Sequence, residues 1–115
     1  MSTFALARGP RGVLGAWEAE GRIRYGRIGE ELERRTASGD AEHCKHPSIA
    51  CNANGEVLVV WIEGMAWNTP GTLAWQRFAA SGKPIDSGRG SDGGVATWSL
   101  VQAIALQGGR FEILY

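Results

Sequence analysis

Two histidines and two cysteines lie within nine residues of the 115-residue sequence, and zinc is bound in proteins by both of these side-chain types. They are His43, Cys44, His46 and Cys51. The order H-C-x-H-x4-C matches no familiar zinc-finger spacing, so the pattern does not favour a metal site. Because Cys51 shares a strand face with Ile49, we interpret it as a small buried apolar residue and predict neither a metal nor another cofactor. A single pair of cysteines leaves a disulfide between them undecided.

A second group of polar and aromatic side chains lies in the connections between apolar stretches. Aromatic rings beside Asn and Asp side chains suit sugars and other small polar ligands. The alternative is that Trp67 packs over its own sheet and that the histidines hydrogen-bond to nearby backbone. No residue is predicted to be catalytic. The candidate ligand-binding residues are His43, His46, Trp67, Asn68, Asp92 and Trp98.

These candidates are positioned by a pattern that occurs twice in the sequence. PSIACNANGEVLVVW ends at Trp61, and VQAIALQGGRFEILY ends at Tyr115, 54 positions later. Each copy is an apolar stretch, a turn with glycine at its centre, a second apolar stretch and an aromatic residue. A weaker third copy ends at Trp17. Asn-Gly turn chemistry between apolar stretches predicts a β-hairpin, and repetition at this period predicts stacked units.

Turn residues and apolar periodicity predict an all-β chain. Arg22–Ile28 alternates between apolar and polar residues and is predicted to be a half-exposed strand. Glu56–Ile62 is apolar on both faces, which predicts a strand covered on both sides. We predict strands in groups of three or four, four and two, in one β domain with units 1–40, 41–90 and 91–115. The other predicted strands are Gly12–Glu18, Ser48–Asn52, Thr72–Phe78, Pro84–Ser87, Val101–Leu106 and Arg110–Tyr115.

Three further features of the sequence have structural interpretations. The segment Gly29–Arg35 is predicted to be a polar connection or an outer edge strand, because charged edges resist pairing with other chains, and a single helical turn is the alternative. The arginines of the segment 22–27 have carboxylates nearby and are interpreted as a solvated face. Recurrence at equivalent strand positions predicts core packing for Trp17, Trp61 and Trp75.

One loop differs in length between the first two units. Their hairpins correspond at an offset of 44 positions, but their third strands correspond at an offset of 50. The six extra residues fall in the loop Gly64–Gly71, which contains Trp67 and Asn68. An insertion confined to one loop of a repeat is a place where function is expected.

The segments HPSIACNANGEVLVVWIEG and GTLAWQRFAASGKPI resemble the C-terminal blades of bacterial sialidase-like β-propellers. Repeats of that family read H-P-x-(apolar)-A-x-N-x-x-G-E-x-(apolar)-V-W and then L-A-W-Q-x-F-x-x-x-G-x-P. The resemblance covers roughly residues 4–115 and implies about two and a half four-stranded antiparallel blades, completed by oligomerisation. The alternative fold is a compact β-barrel or sandwich.

The family's Asp-box, S-x-D-x-G-x-T-W, is not reproduced where it would be expected. The turn at residues 79–84 keeps the Ser and Gly of that motif but has no Asp or Trp, and the similar residues 91–98 fall between blades. Sialidase active sites share a clamp of three arginines, a Tyr–Glu pair and an acidic Asp. None of these residues can be assigned to a position in this chain. Catalysis is therefore not expected of the chain alone. The alternative is a subunit or fragment of a sialidase-like glycosidase whose active site needs other blades.

Charge and composition exclude several partners. The formal net charge is zero, so neither nucleic acid nor an acidic membrane surface is an expected partner. No apolar run approaches the roughly 20 residues of a membrane-spanning helix. No signal peptide is evident, and a cytoplasmic location is the default expectation.

The half unit at positions 91–115 predicts that the chain associates with something. Unpaired hairpin edges and uncovered blade faces favour further strand pairing. The chain is predicted to be the C-terminal part of a longer propeller, a small protein that forms rings or pairs, or a compact barrel or sandwich. We therefore expect a homo-oligomer that acts as a binding or assembly module, with a glycan or another small polar ligand as its expected small-molecule partner.

Overall fold

The computed structural model describes residues 3–30, 34–65, 69–90, 95–96 and 99–115. The chain is an all-β protein in which all hydrogen-bonded neighbouring strands named below run antiparallel. None of the described residues forms a helix long and apolar enough to cross a membrane. The strands are β1 Phe4–Gly9, β2 Gly12–Ala19, β3 Arg22–Arg27, β4 Arg35–Thr36, β5 Cys44–Cys51, β6 Val57–Glu63, β7 Thr72–Phe78, β8 Pro84–Arg89, β9 Gln102–Ala105 and β10 Phe111–Leu114.

The strands form three sheets, and within each sheet neighbouring strands are consecutive in the chain. The first sheet contains β1 to β4, the second sheet contains β5 to β8, and β9 and β10 form the C-terminal hairpin. This arrangement agrees with the predicted groups of strands. β4 is a two-residue edge strand that begins at the last residue of the segment predicted to be a connection or an edge, and β8 continues beyond its predicted end to Arg89. As described, the three sheets are open and none closes into a barrel.

The second sheet is the middle layer. One of its faces packs on the first sheet, in a core that combines Trp61 and Val59 with Ile23 and Tyr25. Its other face packs on the C-terminal hairpin, where Val60 belongs to a second core. The six residues Val57–Ile62 of β6 are all buried, which confirms the prediction of a strand covered on both sides. The hairpin contributes Ala103, Phe111 and Ile113 to the second core.

Two buried serine hydroxyls accept hydrogen bonds from backbone amides of neighbouring elements. The Ile23 amide donates to Ser38 Oγ over 2.9 Å, which attaches the segment after β4 to β3. The Ala103 amide donates to Ser48 Oγ, also over 2.9 Å, which attaches the hairpin to β5. Because a buried unpaired amide is costly, each hydroxyl fixes how its two elements lie against each other.

The tryptophans do not all pack as the repeat predicts. Trp61 is 2% exposed, and half-buried Trp75 packs against the second core. Trp17 lies outside both cores, on the side of the first sheet that faces away from the second sheet. The prediction of core packing is therefore wrong for Trp17, which is half-buried against Phe4 and Arg34, because no further sheet of the described residues lies over that side. Cys51, which was predicted to be buried, is half-buried, whereas Cys44 is 1% exposed. Both are free thiols, and burial raises the pKa of each.

Candidate functional site

The structure describes two of the six candidate ligand-binding residues. His43 is exposed and His46 is half-buried, and both have left-handed backbone with φ of 58° and 53°. They flank the start of a bulge in β5, where the pairing shifts between Lys45 and Ser48. The other candidates, Trp67, Asn68, Asp92 and Trp98, lie outside the described residues, so the predicted glycan site stays a prediction. Among the described residues, no group of three or more His, Cys, Asp or Glu side chains could hold a metal ion.

A large apolar surface covers the side of the first sheet that faces away from the second sheet; we call it the outer face. The pairings of Phe4 with Trp17 and of Leu6 with Gly15 place these residues on that side. The Phe4 and Trp17 rings stack with centroids 6.0 Å apart, and the Arg34 guanidinium lies 5.7 Å from the Trp17 ring centroid. The exposed fractions of its apolar side chains are high: Phe4 60%, Leu6 61%, Val13 43% and Ile28 50%. Exposed apolar surface of this kind marks an interaction site.

The corresponding side of the second sheet is fully covered. At the repeat offset of 44 positions, Val13 and Trp17 of β2 correspond to Val57 and Trp61 of β6. Val57 is 5% exposed and Trp61 is 2% exposed, because the first sheet lies over them. The outer face is therefore the uncovered counterpart of a surface that the same chain buries in its next unit.

The C-terminal hairpin has the opposite uncovered side, which we call the hairpin outer side. The pairing of Leu114 with Gln102 and of Glu112 with Ile104 places these four residues on one side. Leu114 is 48% exposed. At the repeat offset of 54 positions it corresponds to Val60, which is fully buried beneath the hairpin. The stack of layers thus has an uncovered side at each end, mainly apolar on the first sheet and mixed on the hairpin, where Leu114 and Ile104 lie beside Gln102 and Glu112.

A third feature is a cleft of about 290 Å³ between the first and second sheets, at the end where their turns lie. Its walls come from the β1–β2, β5–β6 and β7–β8 turns, and its charged side chains are Arg11, Arg27 and Arg35. No carboxylate is among the described residues that line it. Arg35 Nη2 donates to the Ser81 carbonyl over 3.3 Å, and Arg11 Nη2 donates to the adjacent Ala80 carbonyl over 3.5 Å. We call it the basic cleft.

Tyr25 lines the basic cleft and is 4% exposed. Its ring packs against Phe78 with centroids 4.5 Å apart, and its hydroxyl is buried without a hydrogen-bond partner among the described residues. Burial raises the pKa of Tyr25 to about 12, and the nearby positive charge of Arg35 offsets part of this rise. The hydroxyl is therefore protonated at neutral pH and can donate a hydrogen bond.

Alkaline pH is expected to destabilise the chain through Tyr25. The pKa of about 12 in the folded state lies above the ordinary value of 10.0, so the unfolded chain releases this proton first. The contribution of Tyr25 to stability is complete below pH 10 and is lost as the pH rises through the folded-state pKa, with a total loss of about 3 kcal/mol. Denaturant unfolding across this alkaline range measures it. Tyr25→Phe should flatten the decline relative to Tyr115→Phe, which changes an exposed tyrosine, and equal slopes for the two variants would contradict this origin.

The basic cleft could not have been found from local spacing. The arginines of residues 22–27 were interpreted as a solvated face, but Arg24 and Arg27 are half-buried, and Arg27 lines the cleft. Arg11 lies in a turn, and Arg35 comes from the two-residue strand β4. Only the packing of the two sheets brings Arg11 and Arg35 to the neighbouring carbonyls of Ala80 and Ser81.

Comparison of the chain with protein-family models, with curated proteins and with solved structures finds no match. The class of protein is therefore given by the architecture alone, as an all-β protein of stacked antiparallel sheets.

Proposed function

We propose that the chain is an assembly module in which the outer face of one copy packs on the hairpin outer side of the next. The observation that carries the proposal is the repeat itself. The counterpart of the outer face is buried in the second sheet, and the counterpart of the hairpin outer side is buried in the same sheet. Contact between copies would repeat the contact that already joins consecutive layers within one copy.

The charges on the two surfaces support this pairing. Arg8 pairs with Val13 and Arg24 pairs with Trp17, so both arginines lie on the outer face. The Nε of Arg24 is buried and has no hydrogen-bond partner among the described residues. Glu112 is exposed on the hairpin outer side. Opposite charges at the margin of an apolar contact favour one orientation and penalise like-charge alternatives.

A head-to-tail contact uses two different surfaces, so it forms a ring where the rotation closes and a longer array where it does not. If the contact closes into a ring, we interpret that ring as a β-propeller similar to those of the sialidase-like family. This interpretation is supported by four-stranded sheets with strands in chain order and by stacking through their faces. A sandwich-like stack of layers accounts for the same sheets without a ring.

The assembly is tested by measuring molar mass in solution with light scattering after size exclusion. We expect the parent chain to have a mass of two or more copies, each of 12.3 kDa. Leu6→Glu should weaken association about tenfold or more, because it buries a charge in the contact. Ile85→Glu is the matched control, since Ile85 is 42% exposed on the edge strand β8 and lies on neither surface. A monodisperse monomer across the micromolar range would overturn the proposal.

A mixing experiment distinguishes a head-to-tail contact from a symmetric one. Leu6→Glu and Leu114→Glu each disrupt one of the two different surfaces. Separately, both variants should be monomeric. Mixed, they should form a dimer through the intact hairpin outer side of the first and the intact outer face of the second. If Leu114→Glu alone assembles like the parent chain, the contact joins two outer faces and the head-to-tail arrangement is wrong.

A further inference from the structure

We propose that the basic cleft binds a small oxyanion, either a phosphate or a carboxylate. The two share the chemistry that the cleft recognises, which is negative charge spread over oxygen atoms that accept hydrogen bonds. This site goes beyond the assembly proposal, because it lies between two sheets of the same copy and uses residues of neither the outer face nor the hairpin outer side.

Charge is the first argument. Among the described residues, Arg11 and Arg35 each donate only to a backbone carbonyl, on the adjacent residues Ala80 and Ser81. A guanidinium has five N–H donors, so each retains several for a ligand. Arginine suits oxyanions because its planar fork matches two oxygens at once. Two such groups held at one turn, with no carboxylate in the described lining, form a site of net positive charge.

The hydroxyl of Tyr25 is the second argument. In the part of the chain that the structure describes, it is a buried donor without a partner in a residue that is 4% exposed, and buried polar groups are almost always hydrogen-bonded. Tyr25 and Arg35 are directly paired across β3 and β4, and both line the cleft. An oxyanion bound by Arg35 would therefore have a neutral donor beside it, and the orphaned hydroxyl would gain an acceptor.

The turn that holds Arg35 is the third argument. Gly82 has a φ of +90°, and a Cβ at this position would collide with the Arg35 guanidinium. The absence of a side chain allows Arg35 to lie flat against the turn and to donate to Ser81. The guanidinium is thus positioned before a ligand arrives, which reduces the entropy lost on binding. The volume of about 290 Å³ accommodates a phosphate with several waters, since each water occupies about 30 Å³.

The test is a titration of the full chain with inorganic phosphate and, separately, with acetate, each at constant ionic strength adjusted with chloride. Binding is followed by the NMR shifts of the arginine Nε–H groups and of the Gly82 amide. We expect a saturable shift with at least one of the two anions. A response to phosphate assigns a phosphate site, and an equal or stronger response to acetate assigns a carboxylate site.

Three variants and a matched control complete the experiment. Arg35→Gln should weaken binding about tenfold, and Arg11→Gln, in an exposed turn that tolerates change, should weaken it severalfold. Tyr25→Phe should weaken it about threefold to tenfold. Arg110→Gln is the control, because Arg110 is also an exposed arginine that donates to a backbone carbonyl, that of Gln107, but lies on the hairpin. No saturable shift with either anion, or equal weakening by Arg110→Gln and Arg35→Gln, would overturn the proposal.

Discussion

Replacing Trp61 by alanine is expected to lower the free energy of unfolding by about 3–5 kcal/mol, whereas Trp17→Ala should cost only about 1 kcal/mol in a dilute solution. The two residues occupy equivalent positions in the repeat and differ in what covers them. Trp61 is 2% exposed in the first core, and its Nε1 donates to Glu63 Oε1 over 3.3 Å. Removing it leaves a cavity between two sheets and deletes this hydrogen bond, while Glu63 keeps its ion pair with Arg89. Trp17 stacks on Phe4 but is covered by no further layer among the described residues.

Urea unfolding at several protein concentrations measures this difference. In dilute solution the comparison reports on packing within one copy. If the outer face becomes covered by a second copy, the cost of Trp17→Ala should grow with protein concentration, because association stabilises the folded parent chain. An equal loss for both variants in dilute solution would contradict the assignment of Trp17 to an uncovered surface.

Asn52→Ala is expected to cost about 2–4 kcal/mol, because one buried side chain makes four hydrogen bonds. Asn52 is 4% exposed. Its Oδ1 accepts from the amides of Asn54 and Glu56 over 3.0 Å each, which closes the β5–β6 turn. Its Nδ2 donates to Glu56 Oε1 over 2.8 Å and to the Gly109 carbonyl over 3.1 Å. Loss of the side chain therefore loosens both the turn and its attachment to the C-terminal hairpin.

Two further variants separate these contributions in thermal or urea unfolding. Asn52→Asp keeps an acceptor for both amides but loses the two Nδ2 donations and brings a carboxylate next to Glu56, so it should also be destabilising. Asn54→Ala, in the same turn but exposed, should lie within about 0.5 kcal/mol of the parent chain. A similar loss for Asn52→Ala and Asn54→Ala would show that the buried hydrogen bonds do not control the turn.

The strands could be predicted from the sequence because their signals are local. The Asn-Gly turn at Asn54 and Gly55 lies between two apolar stretches, and the structure confirms the hairpin of β5 and β6. Apolarity on both faces of β6 correctly indicated a middle layer. The prediction that the repeat gave for Trp17 was wrong. Equivalent positions in a repeat establish the side of the sheet on which a side chain lies, but not whether another layer covers it. The outer face follows only from the order of the three layers in the folded chain.

The basic cleft could not be predicted for a different reason. Its residues come from a turn near Arg11, from the short strand β4 and from the turn at Ala79–Gly82, which are far apart in the sequence. No spacing rule joins them, and Tyr25 has the pattern of an ordinary strand residue. The histidines show the opposite case. The sequence marks His43 and His46 as candidate side chains, but their distinguishing feature in the structure is a left-handed backbone at the start of β5.

The order of the layers has a consequence for how the chain opens. The first sheet and the C-terminal hairpin each make their main contacts with the second sheet and not with each other. In such a linear array, stability is a sum of nearest-neighbour terms, and partial opening begins at the ends. The hairpin can detach while the first core stays intact, and the first sheet can loosen while the second core stays intact. Backbone amides of β6, which belong to both contacts, should therefore exchange with solvent more slowly than those of either terminal layer.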